Sequence, residues 1–363
     1  MSWSEFPVPR SEADLSAGWF SALLHPRVVE SVTLERLEGL SNAPFRARLG
    51  YAGDDADDRG SREAPPSVIV KMGRAPGAIR GVTRGATRGA TANVIDREFL
   101  FYQDLAPHLP VPVPRVLYRL ASSDGHFILV LEDLLLRKEI QPFKPGDLPF
   151  VVETLGRRLH PPHWDSPLSA KHPYLRTMAS FVERVESRLG EGVPRLLQRF
   201  RGEIGDDERE LISRLPGRFA DAVRPLVDVP ATLCHHDLNR RNLFVEGPGA
   251  NREVIFVDWQ LVSAVPGVRD LSFLIQNEGG GLGEASERAL LERYHAGLMA
   301  EGVLGYTFGR LVEDYRRSII CDFGRIAMTA SNHGLPSGMW EQLAEQLGNR
   351  AGAVERWHLL EVM

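Results

Sequence analysis

The sequence predicts an α+β chain in two lobes, a small antiparallel sheet with one key helix followed by a larger, mainly helical part. Three observations carry this. Up to about residue 134, short alternating apolar runs separated by turn residues recur. From about residue 135, strand signals nearly vanish and the helical period dominates. The chain has 363 residues, more than one typical core holds. The expected division is 1–131 for the first lobe, 132–134 for the connection and 135–363 for the second.

In the first lobe, Leu15, Trp19, Phe20 and Leu23 fall at near-helical spacing within 11–24, a short amphipathic helix. Ser31–Leu37 and Phe45–Tyr51 alternate like strands about the turn Gly39-Leu-Ser-Asn42, making a hairpin. Such a turn can lay backbone N–H groups and the Ser41 and Asn42 side chains over phosphates, although it has no Gly-x-Gly-x-x-Gly. Residues 52–65 read as a solvated loop, since the spacing of their aspartates does not match a calcium-binding loop. Ser67–Met72 is a strand with Lys71 on the face of Ile69 and Val68, Val70 and Met72 on the other.

Gly73–Thr91 holds a four-residue repeat, Arg80-Gly-Val-Thr, Arg84-Gly-Ala-Thr and Arg88-Gly-Ala-Thr, too glycine-rich for a secure helix. A solvated insertion fits its composition better than a phosphate-binding role. Asn93–Ala106 is a helix with Ile95, Phe99, Tyr102 and Ala106 on one stripe. Glu98 sits at the edge of that stripe, where a carboxylate needs a cationic partner, and Lys71 is the candidate. Val116–Leu120 and Phe127–Leu131 are two more strands about the Ser122–Gly125 turn.

In the second lobe, helices are expected at Val151–His160, Tyr174–Leu189, Pro194–Phe200, Asp206–Leu215 and Ala220–Leu226, then at 285–300, 308–329 and 339–360. The stretches Leu233–Phe244 and Val254–Gln260 read as two short strands joined by the turn formers Glu246–Glu253. Asp270 stands just before an apolar helix start, an N-cap position. Two motifs are decoys. Gly279-Gly-Gly-Leu-Gly283 lacks a preceding β-rich run, so it is a turn between helices, and Asp322-Phe-Gly324 lies inside a helical pattern.

Bulk properties narrow the class. With 43% hydrophobic and 25% charged residues, the composition is that of a soluble globular protein. A net charge of −5 gives no support for a nucleic-acid partner. Two cysteines, Cys234 and Cys321, make no disulfide framework and suit a reducing compartment. The N-terminus lacks a basic segment followed by an apolar one, and the apolar runs are strand-length, so a cytoplasmic protein without a membrane partner is expected.

The chemistry lies in His235-x-Asp237-x-x-x-x-Asn242 and Asp258-Trp-Gln260. Phosphoryl transfer needs a positioned nucleophile and cations on the phosphate oxygens, with little covalent help from the protein. A loop Asp can accept a hydroxyl proton, an Asn five residues on can offer its carbonyl oxygen to Mg²⁺, and a second Asp at a strand end can hold the same ion.

These two segments resemble the catalytic and metal-binding loops of the kinase-like phosphotransferases, the superfamily of aminoglycoside phosphotransferases and choline kinases. Asp258-Trp-Gln260 is similar to the small-molecule branch, above all its choline-kinase-like and ecdysteroid-kinase-like members. The resemblance spans roughly residues 31–328 and implies a protein-kinase-like two-lobed fold. It implies a nucleotide-binding first lobe, with Ser41 and Asn42 in a phosphate turn, Lys71 on the α/β-phosphates and Glu98 orienting Lys71. It implies a hinge at 132–134, where the main chain at Leu131 and Asp133 meets the adenine edge.

It further implies Asp237 and Asn242 as catalytic residues, Asn242 and Asp258 as Mg²⁺ ligands, a structural His235, and an Asp270 that bonds the loop backbone. The implied activity is transfer of the γ-phosphate of ATP or GTP to a hydroxyl of a small molecule, by a monomer or homodimer. An antibiotic, a choline-like amine, a sugar, a sterol-like alcohol and a hydroxyacyl thioester all remain open as acceptors. One departure is His236, where most of the family has Gly, which adds a side chain beside Asp237. The alternatives are a choline- or sugar-type metabolic kinase, a protein kinase, a non-catalytic nucleotide-binding regulator and an unrelated helical binding protein. The Asp-Trp-Gln, the missing glycine triplet and the lack of an Ala-Pro-Glu-like segment after Asp258 argue against a protein kinase.

Overall fold

A computed structural model gives the structure of the chain and describes residues 7–37, 44–52, 64–74 and 94–363. The Ser41-Asn42 turn and the Arg-Gly-x-Thr repeat lie outside the described residues. The chain forms two compact units, the first from Met1–Gln141 and Phe244–Gln260, the second from Pro142–Leu243 and Leu261–Met363.

In the first unit, β1 (Val29–Arg36), β2 (Phe45–Tyr51), β3 (Ser67–Arg74), β4 (Val116–Ala121) and β5 (His126–Glu132) make one antiparallel sheet in the order β1-β2-β3-β5-β4. Sequence alternation becomes face alternation. Phe45, Ala47 and Leu49 of β2, Val68 and Val70 of β3, and Ile128 and Val130 of β5 form a core with Trp19 and Phe20 of helix α1 (Ala17–Leu23). Each such valine, leucine, isoleucine or phenylalanine side chain, fully buried, contributes roughly 1.5–3 kcal/mol. Ser16 caps α1 by accepting from the Trp19 N–H. On the opposite face, α2 (Val94–Asp104) sets Phe99 against Phe127, with ring centroids 5.7 Å apart.

Six shorter strands are present among the described residues: β6 (Ile140–Pro142), β7 (Arg176–Thr177), β8 (Thr232–Cys234), β9 (Leu243–Glu246), β10 (Glu253–Phe256) and β11 (Ser263–Val265). One small sheet has the order β10-β9-β6, with Leu134, Ile140 and Ile255 as its core. The other, in the second unit, has the order β7-β11-β8. The sequence predicts only two strands in this half. Strands of two to four residues are too short for a period to register.

The helices of the second unit are α3 (Leu148–Thr154), α4 (Leu168–Lys171), α5 (Met178–Arg199), α6 (Asp206–Arg214), α7 (Phe219–Val223), α8 (Val268–Glu278), α9 (Glu284–Ala300), α10 (Phe308–Ala330), α11 (Ser337–Asn349) and α12 (Ala353–Arg356). Two expectations are corrected here. The helices foreseen at 174–189 and 194–200 are one, α5, running through Pro194. Pro194 sits on the exposed face, so water can satisfy the carbonyl it leaves unpaired, and the buried stripe Phe181, Val185, Leu189, Val193 and Leu196 continues past it. The helix foreseen at 339–360 is instead two, broken where Gly352 takes φ +72°. Asp322-Phe-Gly324 lies within α10, and Asp322 is buried between Arg269 and Arg350 at 3.0 and 3.5 Å.

Candidate active site

Lys71 is the centre of the first unit's polar chemistry. It points from β3 toward α2, and its Nζ lies 2.8 and 2.7 Å from the two carboxylate oxygens of Glu98 and 2.6 Å from Asp258 Oδ1. The expected Lys71–Glu98 pair is therefore present, although Glu98 is fully enclosed rather than at the edge of a stripe. It also accepts from the Trp259 N–H at 3.2 Å. Trp259 stacks on Phe101 with centroids 4.2 Å apart, so α2 is buried on more sides than its stripe suggests. Burial alone would lower the Lys71 pKa, but Asp258 and Glu98 overrule it and raise it, keeping the ammonium charged. Burial raises Glu98, with Lys71 opposing.

Asp258 has φ +65°, an uncommon conformation for a non-glycine residue that turns its carboxylate back toward Lys71. Its other oxygen accepts from Gln260 Nε2 at 3.0 Å, a support that the sequence reading did not foresee.

At the end of β5, Leu131 is in register with Ile69 on one side and Val116 on the other. Asp133 follows it. Its side chain is buried and accepts from Arg46 Nε and Ser67 Oγ, both at 2.6 Å, so the Asp133 carboxylate braces the end of the sheet.

In the second unit, the loop after β8 carries His235, His236, Asp237 and Asn242. Asn242 lies in a 3-10 turn, Arg240–Asn242, capped by Asn239, whose Oδ1 accepts from the Arg241 N–H. Asn242 Nδ2 donates to the Asp237 carbonyl at 2.8 Å and to Asp237 Oδ2 at 3.2 Å. The amide orientation is thus fixed by Asp237, and the Asn242 carbonyl oxygen is the atom left to meet a cation.

Asp270 anchors this loop from α8. Gly267 occupies the N-cap of α8, so the N-cap expectation for Asp270 is corrected. One turn further in, the Asp270 carboxylate accepts from the His235 N–H at 2.8 Å and the His236 N–H at 2.7 Å. Both N–H groups are buried and charge-assisted, so Asp270→Ala is expected to cost about 3 kcal/mol or more. Urea denaturation checks this, and an unchanged midpoint would rule the anchor out. His160 completes the site, with Nδ1 at 2.8 Å from Tyr294 Oη and Nε2 at 3.4 Å from Asp270 Oδ2. His160, Cys234 and Asp270 have ligand atoms within 4.8 Å of one another. Burial holds the Cys234 thiol well above its usual range, and its Sγ lies 3.4 Å from the Val265 carbonyl, to which it donates.

His236 has φ +68°. This is a conformation that glycine adopts freely and a side chain adopts at a cost. The ring is buried against Phe181, 5.5 Å between centroids, with Nδ1 at 3.3 Å from Ser263 Oγ. Burial, then the charges of Arg269, Arg325, Arg184 and Arg176, lower its pKa well below the usual value, so the imidazole is neutral. His236→Gly and His236→Ala lose the same ring contacts, but only Gly relieves the backbone. The Gly variant is expected to be about 1 kcal/mol more stable than the Ala variant, which paired denaturation curves test.

The antiparallel sheet followed by a mainly helical part, with a lysine paired to a helix glutamate, is a kinase-like fold. The chain belongs to the phosphotransferase enzyme family, whose model matches residues 80–303. Among solved structures, the chain is similar to a Plasmodium vivax ethanolamine kinase, at 11% identity and a TM-score of 0.50 over 90% of this chain and 84% of that one. A choline/ethanolamine kinase family protein from Mesorhizobium loti is 18% identical, with a TM-score of 0.48 over 91% and 92% of the two chains. A spectinomycin phosphotransferase in complex with ADP and spectinomycin is 15% identical, with a TM-score of 0.46 over 96% and 99%. At these identities the likeness is one of fold. No curated protein sequence matches the chain. No helix among the described residues is long and apolar enough to cross a membrane.

Proposed function

We propose that the protein transfers the γ-phosphate of ATP or GTP to the hydroxyl of a small molecule. The observation that carries this is Lys71, held between the carboxylates of Glu98 and Asp258 at 2.6–2.8 Å. A buried lysine fixed by two acids, one on a helix and one at a strand end, is pre-positioned to receive phosphate oxygens.

The donor chemistry fits a hard divalent cation: the Asn242 amide oxygen and the Asp258 carboxylate are the oxygen ligands that magnesium takes. When bound, the ion neutralises charge on the phosphate oxygens. The residues do the rest. Lys71 meets the α/β-phosphates, with Glu98 holding its direction. The main chain at Leu131 and Asp133 borders the base, and the phosphate contacts assigned to Ser41 and Asn42 fall outside the described residues. Asp237 accepts the proton of the acceptor hydroxyl as its oxygen forms the new P–O bond and the bond to the ADP leaving oxygen breaks. The products are ADP, the phosphorylated acceptor and one proton.

A coupled ADP-release assay with an acceptor panel, run beside thermal shift with Mg-ATP and Mg-GTP, tests this reading. Stabilisation by a nucleotide and acceptor-dependent ADP release are expected. A chain that neither nucleotide stabilises and that releases no ADP is not a kinase.

A further inference from the structure

The charges around Asp237 narrow the acceptor, given the phosphotransfer reading above. They come from three elements of the second unit. On α5, Phe181 lies against His236, and Arg184 stands one turn further on the same face. Val185 beside it packs on α10 at Gly324, with Cγ1 3.0 Å from where a Cβ would stand. Arg325 is the next residue of α10. Its guanidinium lies 3.7 Å from the Phe273 ring centroid and donates to the His236 carbonyl at 3.3 Å. Arg184 and Arg325 thus flank one helix contact beside the residue that precedes Asp237. On β7, Arg176 is in register with Ser263, whose hydroxyl meets His236.

Arg184 and Arg325 are treated differently from the arginines deeper in the fold. Arg269 and Arg350 share Asp322. Neither Arg184 nor Arg325 has a carboxylate within 4.0 Å among the described residues, and Arg184 Nε is buried with no hydrogen-bond partner. The acids next to Arg184 on α5, Glu183 and Glu186, are turned about 100° and 200° around the helix from it. Burial lowers Arg325 to about 10 against the pull of Asp322 and Asp237, and burial also lowers Arg184. Both remain charged at neutral pH. Half-buried guanidinium groups without counter-ions are an open site for an oxyanion, which they bind through paired N–H groups. A quaternary amine or a polycationic antibiotic would instead meet like charge.

We propose that the acceptor is an anion, a small hydroxylated carboxylate or phosphate ester whose oxyanion is bound by Arg184 and Arg325 while its hydroxyl reaches Asp237.

The test measures binding by calorimetry to the full chain with magnesium and a non-hydrolysable ATP analogue. The probes are 4-hydroxybutyrate and glycerate, glycerol 3-phosphate, and the cations choline, ethanolamine and kanamycin. ADP release is then followed with ATP. The anions are expected to bind and to be phosphorylated in preference to the cations, and the carboxylate and phosphate probes separate the two oxyanion classes. Arg184→Gln and Arg325→Gln are expected to raise KM for the bound anion about 10- to 100-fold, the range for removing one charged hydrogen bond, with kcat little changed. Preferential turnover of a cation overturns the proposal, as does anion binding that is equal in both variants, or no binding of either class. A fall in kcat at constant KM also overturns it, by placing the arginines on the transferring phosphoryl group. Mg-ATP stabilisation of the same protein reports separately on the kinase reading: without it that reading fails, and with it only the acceptor class is at stake.

Discussion

Asp237→Asn is expected to lower kcat by about 10²- to 10⁴-fold, the usual contribution of a general base, while leaving the protein folded. The two side chains have the same shape. Asn242 Nδ2 donates to the Asp237 main-chain carbonyl at 2.8 Å, a bond the substitution does not touch, and its 3.2 Å contact to Oδ2 can be kept by an amide oxygen. Asp270 still holds the loop through the His235 and His236 N–H groups. What is lost is the lone pair that takes the hydroxyl proton and the negative charge that stabilises it as transfer proceeds. Because Asp237 is assigned to the acceptor hydroxyl and not to the nucleotide, stabilisation by Mg-ATP is expected to survive. Turnover of the variant at more than a tenth of the wild-type rate, with an unchanged melting temperature, would remove Asp237 from the mechanism.

What the sequence makes legible, and what it does not, follows from the range of the forces involved. The strands of the first unit are seven or eight residues long on four of five occasions, enough for alternation to register, and Lys71 falls on the face that the pattern assigns it. Glu98 is harder to place. The helical stripe explains Phe99 and Tyr102, but its full burial depends on Trp259, which arrives from 161 residues away in sequence to donate its N–H. Asp270 shows the same limit. Its position before an apolar run reads as a cap, yet the cap is Gly267, and the Asp270 carboxylate goes to two N–H groups that local patterning cannot find. Arg184 and Arg325 carry no sequence signal at all. Each lies among many surface-like arginines, and only the α5–α10 contact reveals that these two lack acidic partners.

Lys71→Met is expected to destabilise the protein by about 3–5 kcal/mol, the cost of leaving buried charge unpaired, and to lower activity by at least about 10²-fold through lost phosphate stabilisation. Methionine nearly matches the lysine stem in volume, so packing changes little. The charges change a great deal. The Lys71 side chain is 12% exposed and that of Glu98 2%, and in the variant Glu98 and the Asp258 carboxylate face each other without the ammonium that compensated them. The pH dependence separates this from simple loss of packing. Burial already raises the Glu98 pKa above 4.5, and Lys71 is the first group opposing that rise, so removing it raises Glu98 further. A carboxyl whose folded pKa is raised contributes stability that is complete below its unfolded pKa and is lost as pH rises through the folded value. The stability gap between Lys71→Met and wild type should therefore narrow as pH falls from neutrality toward 4.5, because the orphaned Glu98 carboxyl is protonated and its burial becomes less costly. Denaturation curves between pH 8 and pH 5 decide it, and a gap that stays constant, or widens on acidification, would show that Lys71 does not compensate these acids.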